Sequence, residues 1–186
     1  AASDVYKRQH LSYVFFLDLY QSIPYADQGW SFFHPPLHYG VGWLLAQSGS
    51  SEFLIRGLAL FGSAASVGIA VLAAWVTRLS FPARRGLPLI AFTAVAFLPV
   101  QLYTSSMPGN ELTAACLGAG ALARFVRSST RADPRMHLDV WAGIAIGGAL
   151  LTKFSAAIPL LAIATALVVE MLWSSPALAD PERTRT

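Results

Sequence analysis

Apolar and polar positions divide this chain into a mixed N-terminal segment followed by a train of apolar runs with short polar breaks. Gly57 to Thr77 is uncharged over the ~20 residues that a bilayer-crossing helix needs, and Leu87 to Tyr103 is nearly as long. Leu112 to Val126 forms a third run. Leu138 to Trp173 is too long for one span, with Lys153 near its middle and Pro159 beyond it. It predicts two helices, 138–152 and 154–173, that turn near Thr152-Lys153-Phe154. The pattern as a whole predicts an all-α, polytopic transmembrane helical bundle with interfacial helices near the N-terminus.

The N-terminal segment is patterned differently. From His10 to Gln21 a helix would be apolar around most of its girth, with His10, Asp18 and Gln21 on one narrow stripe. It is too short to cross, so it reads as a helix in the interface plane or as the end of a longer span. Ile23 to Trp30 is a polar loop ending in an interface-type tryptophan, and residues 10–34 are expected to be external. Pro35 pushes His34 into extended backbone, so a helix can start at Pro35 but not run through it. From Pro35 to Gln47 that helix is roughly 20 Å long, short of the ~30 Å core. A shallow element is therefore expected over 35–47.

Composition and charge sharpen this picture. The 186 residues are 55% hydrophobic and 12% charged with mean hydropathy +0.52, against ~25% charged in a soluble domain. A net charge of +3 is no nucleic-acid footprint, because the arginines gather in two loops. Arg78, Arg84 and Arg85 mark one, and Arg124, Arg127, Arg131 and Arg135 mark the other. The positive-inside rule makes both cytoplasmic and Ser48–Arg56 and Thr104–Glu111 external. The single Cys116 lies in an apolar run and excludes a disulfide framework. Residues 1–9 resemble a translated sequencing adapter and are expected to carry no fold information. Residues 174–186 read as a truncated polar cytoplasmic tail or loop, and the chain as an internal fragment.

On this topology His34 and His38, the His10/Asp18 stripe, Asn110-Glu111 and Lys153 all face outward. Charges at membrane depth cost roughly 2.5 to 3.5 kcal/mol, which makes them functional candidates. Each also has a plain reading. The histidines can be satisfied interfacial side chains, Asn110 an N-cap with Glu111 complementing the helix dipole, and Lys153 a snorkelling cation. No Gly-x-Gly-x-x-Gly loop, zinc spacing or nucleophile elbow occurs.

Together, His10-Leu11-x-Tyr13-Val14, then His34-Pro35-Pro36-Leu37-x-Tyr39, Asn110-Glu111-Leu112 and Gly147-x-x-Leu150-Leu151-Thr152-Lys153 resemble the N-terminal half of integral-membrane GT-C glycosyltransferases. That superfamily includes the dolichyl-phosphate-mannose protein mannosyltransferases and the lipid A aminoarabinose transferase. The resemblance covers residues 10 to 173. It implies a multi-pass protein, expected in a bacterial plasma membrane, that moves a sugar from a polyprenyl-phosphate donor to a protein, lipid or glycan acceptor. It also implies an Asp-Glu pair ahead of the first histidine, where this chain has Tyr6 and Lys7, so the expected catalytic acid is missing. Of the residues present, Lys153 is the expected phosphate contact and Glu111 the second acidic position, a candidate catalytic group or metal ligand. His34 is a candidate for phosphate or a divalent metal ion, and His10 and His38 for substrate binding. The competing readings are a transporter or flippase for lipid-linked or small solutes, which should show paired repeats and broken helices, and a non-catalytic membrane scaffold.

Overall fold

A computed structural model describes residues 2–129 and 140–173. Among them all regular structure is helical: α1 (Ala2–Tyr20), α2 (Leu37–Ala46), α3 (Ser51–Ser80), α4 (Leu87–Ala96), α5 (Pro99–Ser105), α6 (Glu111–Ser129), α7 (Val140–Leu150), a 3-10 turn (Phe154–Ala156) and α8 (Ala157–Trp173). The expectations for Arg131, Arg135 and residues 174–186 fall outside the described residues. By length and composition α3 and the Phe154–Leu172 segment can cross a membrane, and the pair α4–α5 makes a third span if it counts as one.

The longest helix, α3, has 30 residues, roughly 45 Å, and so overruns a ~30 Å hydrocarbon core. It begins earlier than the apolar run, within the stretch read as a break. Ser50 caps it by accepting from the Phe53 amide at 3.3 Å. Glu52 complements the first turn and pairs with Arg56 one turn on at 2.6 Å. The predicted single crossing over 87–103 is instead two helices bent by 56°. Pro99 removes a backbone donor and Leu98 before it is extended, with ψ 126°, which is what a proline imposes on its predecessor. Gln101 just beyond the bend is buried and donates to the Ser66 carbonyl of α3 at 2.8 Å.

At the centre of the bundle α6 packs against α3, α7 and α8. Small residues bring the axes together: a Cβ on Gly68 would lie 2.9 Å from Cys116 Sγ, and one on Gly118 2.9 Å from Pro159 Cγ. A helix enclosed this way needs little lipid-facing surface, so it can carry Glu111, Arg124 and Arg127 and fall short of the apolarity of a free-standing span. The predicted turn at Thr152-Lys153-Phe154 is present between α7 and α8.

In the N-terminal part, α1 and α2 pack on the first turns of α3 around Leu11, Tyr13, Val14, Phe32, Tyr39, Leu54 and Leu58. Tyr13 stacks on Tyr39 with centroids 4.0 Å apart, and Phe32 meets Tyr13 edge-on at 5.3 Å. Gly42 lets α2 close on α1, since a Cβ there would lie 2.8 Å from Val14 Cγ2. Helix α1 begins at Ala2, ahead of the His10 motif. It ends at Gln21, whose φ of 50° makes a left-handed C-terminal stop.

Candidate functional site

The first turn of α2 is where the distant motifs meet. Its helix starts after Pro36 rather than at Pro35, and no side chain caps it. The Leu37 amide instead donates to the Leu151 carbonyl at the end of α7, at 2.9 Å. One bond thus satisfies a helix-start donor and a helix-end acceptor, and it ties the Pro-Pro-Leu-x-Tyr segment to Leu-Leu-Thr-Lys.

The next two links join residues 110 and 111 to 152 and 153. Asn110 Nδ2 donates to the Thr152 carbonyl at 2.9 Å. Lys153 Nζ donates to Glu111 Oε1 at 2.6 Å, with both side chains partly exposed, at 24% and 33%. Glu111 opens α6, where the helix dipole favours a carboxylate. Beside this pair, His10 of α1 stacks on His34, with ring centroids 6.0 Å apart, and its Nδ1 is 2.7 Å from the Tyr39 hydroxyl. His38 is buried, with Nδ1 3.2 Å from Thr113 Oγ1 on α6.

Burial sets the charge state of this cluster. Desolvation lowers His10 to about 4, and His38, His34 and Lys153 push the same way against the opposing pull of Glu111. His38 is also lowered to about 4 by burial, although the Pro108 backbone and Glu111 favour its charged form. Its Nε2 nevertheless has no partner in good hydrogen-bond geometry. His34 is lowered by burial and by Lys153, and burial raises the Tyr39 hydroxyl. Three neutral imidazoles and a neutral phenol therefore surround one carboxylate–ammonium pair at neutral pH.

From that pair a groove of about 410 Å³ runs between α6 and α8. Glu111 and Lys153 stand at its head, and Ala115, Gly118, Leu122 and Pro159 line its course. Glu111 to Leu122 spans roughly 16 Å of helix. Apart from its head the groove wall is almost entirely apolar.

The sequence-predicted residues His10, His34, His38, Glu111 and Lys153 are brought into one region, but the His10/Asp18 stripe is not a unit. Asp18 lies two turns further along α1, exposed and bonded to Gln47 Nε2 at 2.5 Å. The helical spacing was real, and α2 runs beside α1 past both positions, His10 meeting Tyr39 near its start and Asp18 meeting Gln47 at its exposed end. Sequence reasoning missed Tyr39, Thr113 and Thr152 as partners; the N-cap position weighed for Asn110 is held by its main chain, while its side chain is turned to Thr152. The groove was also missed, since its wall is alanine, glycine and proline. Positions 6 and 7, where the resemblance expects an Asp-Glu pair, lie on α1 one turn before His10. For the expected divalent ion, no three His, Cys, Asp or Glu side chains are gathered among the described residues. Glu111 and His34 supply two of the side chains such an ion would need, and Glu111 shares one of its two oxygens with Lys153. No family model, curated protein or solved structure matches this chain.

Proposed function

We propose that this chain is the donor-binding part of a membrane glycosyltransferase that uses a polyprenyl-phosphate sugar. The observation that carries the reading is the groove between α6 and α8, apolar along its length and headed by Lys153 and Glu111. An isoprenoid chain needs an uninterrupted apolar channel and its phosphate needs a cation at the head. Lys153 supplies a compact positive charge for that phosphate, and the neutral histidines beside it add no competing charge.

Transfer from such a donor forms a bond between the acceptor oxygen and the anomeric carbon and breaks the bond from that carbon to the phosphate oxygen. The acceptor proton passes to a carboxylate, and the polyprenyl phosphate leaves with its charge held by a cation. Lys153 serves the leaving phosphate. Its ammonium neutralises Glu111 in the free state, and an entering phosphate competes for it. Glu111 is then released to hold the acceptor hydroxyl or take its proton.

One observation favours a second reading. The helix pair α4–α5 is broken by Pro99 at Leu98, with polar Gln101 next to the break, as in transporters whose discontinuous helices bind solutes. The two readings separate in one assay. Membranes containing the full-length protein are supplied with a radiolabelled polyprenyl-phosphate sugar and acceptor lipids or peptides. We expect transfer by the parent and a loss of at least ~100-fold in Lys153→Ala and Glu111→Ala. Solute uptake without transfer would support the transporter, and full activity in both variants would remove these residues from the site.

A further inference from the structure

Asn110 occupies the N-cap position of α6, its carbonyl accepting the first helical bond from Ala114 at 3.1 Å. Asparagine is among the best N-cap side chains because its oxygen can accept from the next free amides. Here that oxygen, Oδ1, is buried and bonds to nothing. The amide group is committed the other way, with Nδ2 donating across to the Thr152 carbonyl at 2.9 Å, and both residues are fully buried. The local preference is overridden and a buried acceptor is left unsatisfied. That is costly, and such departures concentrate at functional sites.

The geometry points to Asn110 as a positioning residue for Lys153. The chain steps from 110 to 111 on one side and from 152 to 153 on the other. Fixing Asn110 to the Thr152 main chain therefore sets the register in which Lys153 reaches Glu111 at 2.6 Å. Thr152 is held from behind, its hydroxyl donating to the Gly148 carbonyl at 2.8 Å, and Leu151 is held by the Leu37 amide. The turn is thus anchored from α2, α6 and α7, while the ammonium at its tip stays partly exposed at the head of the groove. Asn110 does not touch the groove itself. This inference deepens the donor reading and rests on it for the ligand, whereas the positioning of Lys153 can be measured without one.

The test uses full-length protein in detergent micelles and two readouts. Lys153 acylation by an amine-specific reagent, followed by mass spectrometry, reports how firmly the ammonium is held on Glu111. Titration with a short-chain polyprenyl phosphate, beside the matching polyprenol, reports the cation's use. Asn110→Leu removes the latch and the orphan oxygen together while keeping the side chain's branching and number of heavy atoms. It should raise Lys153 labelling about fivefold, the size of one net hydrogen bond. It should also weaken the phosphate ligand about fivefold while leaving the alcohol unchanged. Thr152→Ala keeps the main-chain acceptor for Asn110 and loses only the tether to Gly148, so it should shift both readouts less than Asn110→Leu does. A purely structural role would instead lower the folded fraction without separating phosphate from alcohol, and Asn110→Ala carries the comparison if Asn110→Leu does not fold. Parental labelling, or parental phosphate affinity, in a folded Asn110 variant overturns the inference. A parent that binds phosphate and alcohol equally overturns the donor reading, with the labelling still deciding whether Asn110 positions Lys153.

Discussion

His10 and His38 behave as buried neutral groups, which has a consequence for stability. In the folded protein they take up a proton only near pH 4, held down by desolvation, whereas in the unfolded chain they do so near ~6.5. Between those values the unfolded state holds more protons, so stability falls as pH drops from about 6.5 towards 4, by on the order of 3 kcal/mol per histidine. Thermal unfolding in detergent at pH 7 and pH 5 should show this loss, and His10→Gln with His38→Asn should flatten it. The Glu111–Lys153 pair makes a second test. Removing one partner strands a partly buried charge, while removing both does not. A double-mutant cycle on melting should give a favourable coupling of about 1 kcal/mol, reduced by the pair's exposure. At this scale much of the candidate site was legible in the sequence, because charged residues in apolar surroundings stand out. Partners such as Tyr39 and Thr152 were not, since which neutral side chain lies beside a histidine is decided by how α1, α2 and α7 meet.

The elements followed the apolar runs closely, and their departures have local causes. Helix α3 outgrew its run because Ser50, Glu52 and Arg56 form a good helix start that hydrophobicity does not register. The stretch 87–103 broke because Pro99 outweighs a continuous apolar pattern. Packing between elements depends on glycines whose role no periodicity reveals. Gly42→Ala would press a methyl onto Val14 Cγ2, 2.8 Å away. Val14 is buried and β-branched, so it has little room to move. The substitution should destabilise the α1–α2 contact by roughly 1 to 3 kcal/mol, read as a lower melting temperature. Ala115→Phe tests the groove instead. Ala115 is an exposed residue of its wall, so the ring should fill the channel without disturbing α6. It should raise the donor KM about tenfold or more with melting unchanged.

For the molecule as a whole, the bundle gathers its polar chemistry at one end of α6 and its arginines Arg124 and Arg127 towards the other. On the positive-inside rule those ends are expected on opposite faces of the membrane. Single cysteines at Ser50 and Ser128 should then react with an impermeant thiol reagent from opposite sides, and labelling of both from one side would overturn the assignment. All-helical architecture, with helices long and apolar enough to span a membrane, was legible in composition and runs alone. The groove was not, because it is a space between two helices rather than a property of either. A photoactivatable polyprenyl phosphate measures directly what fills that space. Irradiated with the full-length protein in bilayers, it should leave adducts on the facing sides of α6 and α8, around Ala115, Gly118 and Ile158, that fall away in Lys153→Ala and are not formed by the matching polyprenol. Adducts spread over the lipid-facing surface, unaffected by Lys153 and equal for the alcohol, would contradict the donor reading.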